Sequence, residues 1–322
     1  MPSFLKHISI YVPSIIVSNE DIAEKFPDWD SEKIFSKIGI KNRNIAKPEE
    51  TIVDMAVEAI KNLVDETSLD LSTVDYLILC TQSPDFKLPT SACIVQDRVG
   101  LSKNCAAIDI NQGCSGYIYG LSIADALVSS GNYKNVLLIT SEAYSKIIHK
   151  EDRGNISLFG DGATASLISQ DGEYRIGKFN LGTDGSGFEN LIVRNGGSKF
   201  AFDSNLENLD NYLFMEGSAI FDFTSKNIPS LVAENLEYNN ILKENIEQFI
   251  FHQANTFMLS FLRKRINIST DKFLLNMENY GNTVSSSIPL AFKDYFYKGF
   301  NSVMLVGFGV GYSWGAVTLF KN

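Results

Sequence analysis

Three residues far apart in the chain have the types and settings that acyl-transfer chemistry needs. Cys114 stands in DINQGCSGYIYGLSIADAL, where a strand over Cys105–Ile110 ends, a glycine precedes the cysteine, and an amphipathic helix begins. The thiolate is the reactive form of cysteine. At a helix N-terminus it meets free N–H groups and about half a positive charge, which favour it and could also hold a thioester oxyanion. His252 stands in FIFHQAN, directly after an apolar strand, and is one of only three histidines, with His7 and His149. Asn282 stands in ENYGNTVSSSIPLAF behind Gly281. Singly, each has a plainer reading: a buried inert thiol, a core histidine and a helix N-cap, a role Asn favours. Cys80, Cys93 and Cys105 lie inside strand or helix patterns and read as inert.

The elements around these residues suggest how they could meet. Thr51–Val64 carries Ile52, Met55, Ala56, Ala59, Ile60 and Leu63 at helical spacing, and Val74–Gln82 reads as a buried strand. The order recurs late, with a helix over Ser230–Glu237 and a strand over Gln248–Phe251 that ends at His252. Cys114–Ser130 reads as helix, then Gly131, then the strand Val136–Thr140. Asn282–Lys298 reads as helix, then Gly299, then the strand Val303–Val306. Gly131 and Gly299 each follow their site residue by 17 positions. A second strand follows each time, in GDGATASLIS from Gly160 and in GYSWGAVTLF from Gly311. An internal duplication is the simplest reading, with residues 1–175 carrying the cysteine and 176–322 carrying the histidine and asparagine. Alternating helices and strands imply an α/β chain with parallel sheets covered on both faces. Two stacked halves would share a central helix layer, and their pseudo-twofold would bring all three residues to one site.

Composition excludes other classes. The 322 residues are 44% hydrophobic and 20% charged, and the net charge is −10, so a phosphate backbone would be repelled and no nucleic-acid partner is expected. No basic segment leads into an apolar run near the start, and no stretch is long enough to span a membrane. The four cysteines lack CxxC pairing, so no metal is expected, and they read as reduced thiols of a cytoplasmic protein. The glycine run GFGVG lies between two strands, whereas a dinucleotide fingerprint needs a strand-to-helix turn.

NQGCSGYIYGL, FHQAN and YGNTVSSSIP, with FGDGA (Phe159–Ala163) and GFGVGYSWG (Gly307–Gly315), resemble 3-oxoacyl-acyl carrier protein synthase III of the thiolase superfamily. The resemblance extends to GIKNRNIA (Gly39–Ala46), LPTSAC (Leu88–Cys93), DRGN (Asp152–Asn155) and MEGSAIF (Met215–Phe221), and so covers nearly the whole chain. It implies a five-layer α-β-α-β-α thiolase-like fold and a cytoplasmic homodimeric enzyme that needs no cofactor. It implies that Cys114 takes an acyl group from acyl-CoA. A malonyl thioester on acyl carrier protein then loses carbon dioxide and condenses with that group. His252 and Asn282 would stabilise the enolate oxygen. The backbone N–H groups of Cys114 and Val310 would form the oxyanion hole, and Phe308 would shield the nucleophile. Arg153 matches the family arginine that contacts CoA, and Lys37 stands where a second arginine is frequent. The family's nearby tryptophan has no match, with Lys33 in its place and Trp29 offset. Leu88 stands where the family reaches across a dimer interface into the partner's acyl pocket.

The chain departs from the family at several places. Val310 sits within what is usually a run of three glycines; if that backbone required glycine, valine would cost about 1–2 kcal/mol. Two basic positions that dock the carrier protein are Asp222 and Phe257 here, and Arg263, Lys264 and Arg265 offer an alternative docking run. A condensing enzyme or acyltransferase of a specialised pathway, for a secondary metabolite or a surface sugar, is therefore the rival reading. A non-catalytic partner subunit is a further rival, against which the intact Cys-His-Asn set argues.

Overall fold

The computed structural model describes residues 1–322. The chain opens with β1 (Phe4–Tyr11), β2 (Ile15–Ser18), helices α1 (Asn19–Lys25) and α2 (Ser31–Ile38), β3 (Asn42–Ile45) and α3 (Ile52–Thr67). Next come β4 (Tyr76–Cys80), α4 (Ser91–Arg98), β5 (Ala106–Ile110), α5 (Gly116–Ser129), β6 (Asn135–Glu142), α6 (Arg153–Leu158), β7 (Gly162–Ser169) and β8 (Tyr174–Thr183). After the short pair β9 (Leu191–Val193) and β10 (Leu213–Met215) follow α7 (Gly217–Tyr238), β11 (Gln248–Phe251), α8 (Thr256–Ile266), α9 (Ser287–Lys293), β12 (Ser302–Gly309) and β13 (Ser313–Lys321).

Nine strands form one sheet in the order β11-β12-β13-β8-β1-β7-β6-β4-β5. The expected parallel pairing holds at its two ends, where β11 runs with β12, and β4 runs with both β5 and β6. The middle is antiparallel, which corrects the expectation of purely parallel sheets. Only three residues separate β12 from β13, too few for the crossover that a parallel neighbour requires. The two arms of the sheet meet at β1 and β8 through just two residue pairs, Phe4 with Arg175 and Leu5 with Tyr174.

Helix α5 has Asp125 as its one charged residue, and Ala126 is its only exposed one. Its Tyr117, Ile118, Leu121, Ala124 and Val128 share a core cluster with Ile288, Ala291 and Phe292 of α9 and with strands from both arms. Gly120 lets α5 approach β6, since a Cβ there would lie 2.5 Å from Leu138 Cδ1. The helix expected over Asn282–Lys298 is broken into a 3-10 turn, α9 and a second 3-10 turn. Val284, left-handed at φ 54°, opens this interrupted segment.

Candidate active site

Cys114 lies in the turn between β5 and α5, with Ser115 as the cap residue, so α5 begins two residues later than the sequence suggests. Two glycines of β12 press against this turn. A Cβ on Gly307 would come 2.9 Å from Ser115 Cα, and one on Gly309 would come 2.7 Å from Cys114 Cβ and 2.9 Å from its Sγ. Ser115 Oγ and Ser313 Oγ lie 2.6 Å apart, and Ser313 Oγ donates to Val310 O at 2.7 Å, which ties the nucleophile turn to the β12–β13 hairpin. The backbone N–H groups of Val310 and Cys114 both donate toward the Cys114 sulfur and favour its thiolate. Burial and the buried carboxyl of Glu142 outweigh them and push the thiol up to about 12. The two N–H groups act in the expected direction, and burial opposes them because removing the sulfur from water disfavours the anion. The glycine-only conformation falls on Gly311, at φ 133°, while Val310 keeps ordinary backbone angles, so the feared cost at Val310 does not arise.

His252 follows β11 directly and is 2% exposed. Its Nδ1 lies 2.7 Å from Ser287 Oγ, and Ser287 Oγ also accepts the Gln253 N–H at 3.3 Å. Burial drives the imidazole down to about 3, against a weaker opposing hydrogen bond with the Val284 backbone, so it is neutral at physiological pH. Asn282 is 3% exposed and joins the strand-like bridge to Phe159, with Asn282 N–H donating to Leu158 O and Gly160 N–H donating to Asn282 O. This pairing brings FGDGA and YGN together in space. Gly281 is left-handed at φ 71°, and a Cβ there would sit 3.1 Å from Leu158 O. Asn282 Oδ1 accepts the Val284 N–H at 2.9 Å, which leaves Nδ2 as the amide's free donor. Cys114, His252, Asn282 and Phe308 all line one cavity of about 80 Å³, walled otherwise by apolar side chains such as Leu158, Phe159, Leu191 and Ile220. Phe308 stands edge-on to His252, with ring centres 5.7 Å apart.

Comparison with known proteins decides the family. The family described as 3-oxoacyl-[acyl-carrier-protein (ACP)] synthase III matches residues 108–185, and its C-terminal counterpart matches residues 236–320. The chain is 39% identical to a beta-ketoacyl-[acyl-carrier-protein] synthase III of Caldanaerobacter subterraneus subsp. tengcongensis, over 95% of this chain and 94% of that one. A relative of the same description from Clostridium perfringens is 38% identical over 96% of each chain. A solved 3-oxoacyl-(acyl-carrier-protein) synthase III superposes with a TM-score of 0.96 at 40% identity, and each chain covers 100% of the other. The chain belongs to this family. As a synthase III it is a thiolase-fold condensing enzyme, an acyltransferase of fatty acid biosynthesis.

The remaining expected positions lie outside the synthase III cavity. Arg153, at the start of α6, lies over the Trp29 ring at 5.2 Å and pairs with Asp28 at 3.4 Å. Trp29 thus reaches the arginine in space despite its offset in sequence, and it lines a hollow of about 310 Å³ with Lys33 and Lys37. Lys37 also borders a groove of about 790 Å³ between α2 and α8, with Asn255, Phe257, Phe261 and Lys264. Asn255 lines both this groove and the catalytic cavity. The basic run divides. Arg263 is half-buried and donates to Ile268 O at 2.8 Å, capping the end of α8, whereas Lys264 faces the groove and Arg265 is exposed. Leu88 is 83% exposed and touches no part of this chain's own cavity. Sequence reasoning passed over Glu142 and the serine run Ser285–Ser287. The serines' only signal is an unbroken polar triplet within the asparagine motif, in a segment otherwise helix-like, and Glu142 has none.

Proposed function

We propose that this synthase III works in two half-reactions through Cys114, His252 and Asn282. The convergence of these three on one apolar cavity carries the reading. Cys114 Sγ attacks an acyl-CoA carbonyl, its proton passes by way of the neutral His252 imidazole, and the CoA thiolate leaves protonated. The N–H groups of Cys114 and Val310 that meet the sulfur are placed to hold the carbonyl oxygen during attack. A malonyl thioester on acyl carrier protein then enters. Its C–C bond to the carboxylate breaks, carbon dioxide leaves, and the electron pair moves onto the thioester oxygen. Asn282 Nδ2 and the cavity-facing edge of the His252 ring stabilise that oxygen as it becomes charged. The enolate carbon attacks the acyl carbonyl, and Cys114 departs as the leaving group. The apolar walls and Phe308 exclude water that would hydrolyse the acyl-cysteine. No cofactor is called for at any step. Trp29, Arg153 and Lys37 receive the CoA nucleotide, and the enzyme works in the cytoplasm, its chain divided near residue 175 into halves that supply the nucleophile and the enolate-stabilising pair.

Two copies pair in this reading. β5 is the edge of the sheet, and the nearby Leu88 is exposed, as suits a segment that completes the acyl pocket of a second copy. Leucine is smaller than the phenylalanine frequent there, so primers longer than acetyl are expected to load. Intact-protein mass spectrometry after exposure to a panel of acyl-CoAs tests both points. A Leu88→Phe protein is expected to shift its loading severalfold toward acetyl-CoA. A wild-type enzyme that loads acetyl alone, or that is monomeric at micromolar concentration, removes this part of the reading.

The carrier protein docks at the α2–α8 groove. Acyl carrier proteins are acidic and this chain carries −10, so encounter rests on local cations and weakens with salt. Reversing Lys264 and Arg265 to glutamate is expected to raise the KM for malonyl-carrier protein severalfold while loading from acyl-CoA stays within twofold. If neither half-reaction changes, the run is only a solvated face, which strengthens the case for an acceptor other than a carrier protein. The exposed Phe257, packed on Phe221 at 5.5 Å where the family carries a basic residue, is the feature that would favour such an acceptor.

A further inference from the structure

The turn that carries Asn282 is held in a costly shape. Val284 is β-branched and left-handed, a conformation that persists only where its surroundings impose it. Yet this residue supplies the N–H that orients Asn282. The three serines that follow are its anchors. Ser287 holds His252. Ser286 Oγ donates to Gly162 O at 3.0 Å and meets Thr140 Oγ1 at 2.9 Å. Ser285 Oγ donates to Glu142 Oε1 at 2.7 Å.

Glu142, the last residue of β6, is completely buried and has no cationic partner. Its second oxygen accepts from Gln82 N at 3.1 Å, Ser83 Oγ at 3.0 Å and Thr81 Oγ1 at 3.5 Å, all just past β4. This second connection leads to the nucleophile. The Gln82 side chain accepts from Tyr144 Oη at 2.7 Å and presses on Gly113, where a Cβ would lie 2.4 Å from its Oε1. Gly113 directly precedes Cys114. One buried carboxyl thus braces both turns, on one side through Ser285 and on the other through Gln82.

We propose that Glu142 is a positioning residue for the condensation, holding the Asn282 turn against the Cys114 turn through its hydrogen bond with Ser285. This rests on the catalytic assignment of Cys114 and Asn282 above. The brace requires hydrogen-bonding capacity rather than charge. Burial pushes the Glu142 carboxyl up to about 8, the value expected of a group that enters the site neutral. The titratable groups that face it are Cys114, Cys80 from β4, and Tyr144, and each is raised by its negative charge. Above pH 8 an ionised Glu142 therefore works against the Cys114 thiolate.

The test compares Ser285→Ala and Glu142→Gln with wild type in separate half-reactions and in alkylation of Cys114 by iodoacetamide, read peptide by peptide across pH. Ser285→Ala cuts one arm of the brace and leaves the carboxyl. It is expected to load within a fewfold of wild type and to condense at least tenfold more slowly. Glu142→Gln keeps the shape and removes the charge. It is expected to condense within a fewfold of wild type and to alkylate severalfold faster at pH 9 but equally at pH 6.5, which a purely structural residue would not do. A Ser285→Ala enzyme that condenses within twofold of wild type overturns the proposal, and so does a Glu142→Gln alkylation profile that superimposes on wild type. If Glu142→Gln does not fold, the Ser285→Ala result decides. Loading at a residue other than Cys114 in wild type would instead overturn the catalytic assignment.

Discussion

Cys114→Ala is expected to take up no acyl group from acyl-CoA, whereas His252→Ala and Asn282→Ala still load and fail to condense. The division follows from where each group sits. Only the sulfur can form the new thioester bond. Asn282 offers a free Nδ2 to the cavity, aimed at an oxygen that becomes charged only when carbon dioxide departs, so its loss should leave loading near wild type. Removing one preorganised donor of this kind costs about 10²–10³ in rate. His252 has two tasks. The thiol, raised to about 12, needs a group to take its proton, and the neutral imidazole is the base in reach of the cavity. His252→Ala should therefore load up to about tenfold more slowly and lose about 10²-fold or more in condensation. Because the folded imidazole titrates at about 3, the condensation rate should show no inflection near pH 6.5. Separate single-turnover assays of the two half-reactions check all of this. A Cys114→Ala protein that still gains an acyl mass would sink the assignment.

What the sequence reveals about this site is what local chemistry can encode. Cys114, His252 and Asn282 each stand at the end of a strand or in a glycine-preceded turn, and those positions were legible because strand ends and glycines are local signals. The pairing of FGDGA with YGN was legible only as co-occurring motifs, since their bridge joins residues more than a hundred positions apart. The electrostatics of the sulfur depend on distant residues in the same way. The helix start before α5 is visible in NQGCSG, but the burial of the sulfur and the approach of Glu142 from β6 are products of assembly. The charged run shows in the sequence, but the bond by which the Arg263 guanidinium closes its own helix against Ile268 O does not. The antiparallel middle of the sheet was obscured because strand direction depends on connection length. The signal lies in the length of the glycine run between the last two strands: the three residues Val310–Tyr312 are too few for a parallel crossover.

Gly309→Ala is expected to impair the enzyme about as severely as loss of a catalytic side chain, although position 309 supplies no reacting group. Its backbone angle is ordinary, so the demand for glycine is one of space alone. A Cβ would lie 2.7 Å from Cys114 Cβ and 2.9 Å from Sγ, closer than carbon and sulfur atoms can stand. The obstructing atoms cannot swing aside as the tip of a long side chain would, because Cys114 Cβ is fixed to the turn that Ser115 and Ser313 tie down. Either β12 or the nucleophile turn must then retreat. Retreat of β12 carries Val310 N–H away from the sulfur, since Val310 directly follows Gly309. A displacement of about 1 Å in such a constellation costs about 10² in rate. Loading and condensation should fall together, because both use the oxyanion hole, and this distinguishes the variant from Asn282→Ala. Overpacking should also lower stability by about 1–3 kcal/mol. Gly185→Ala is the matched control, since a Cβ there meets nothing within 4 Å. Thermal melting and single-turnover loading of the two variants check the argument. A Gly309→Ala enzyme that loads at the wild-type rate would show that the sulfur and the Val310 N–H move independently, and that the close approach of β12 has no catalytic consequence.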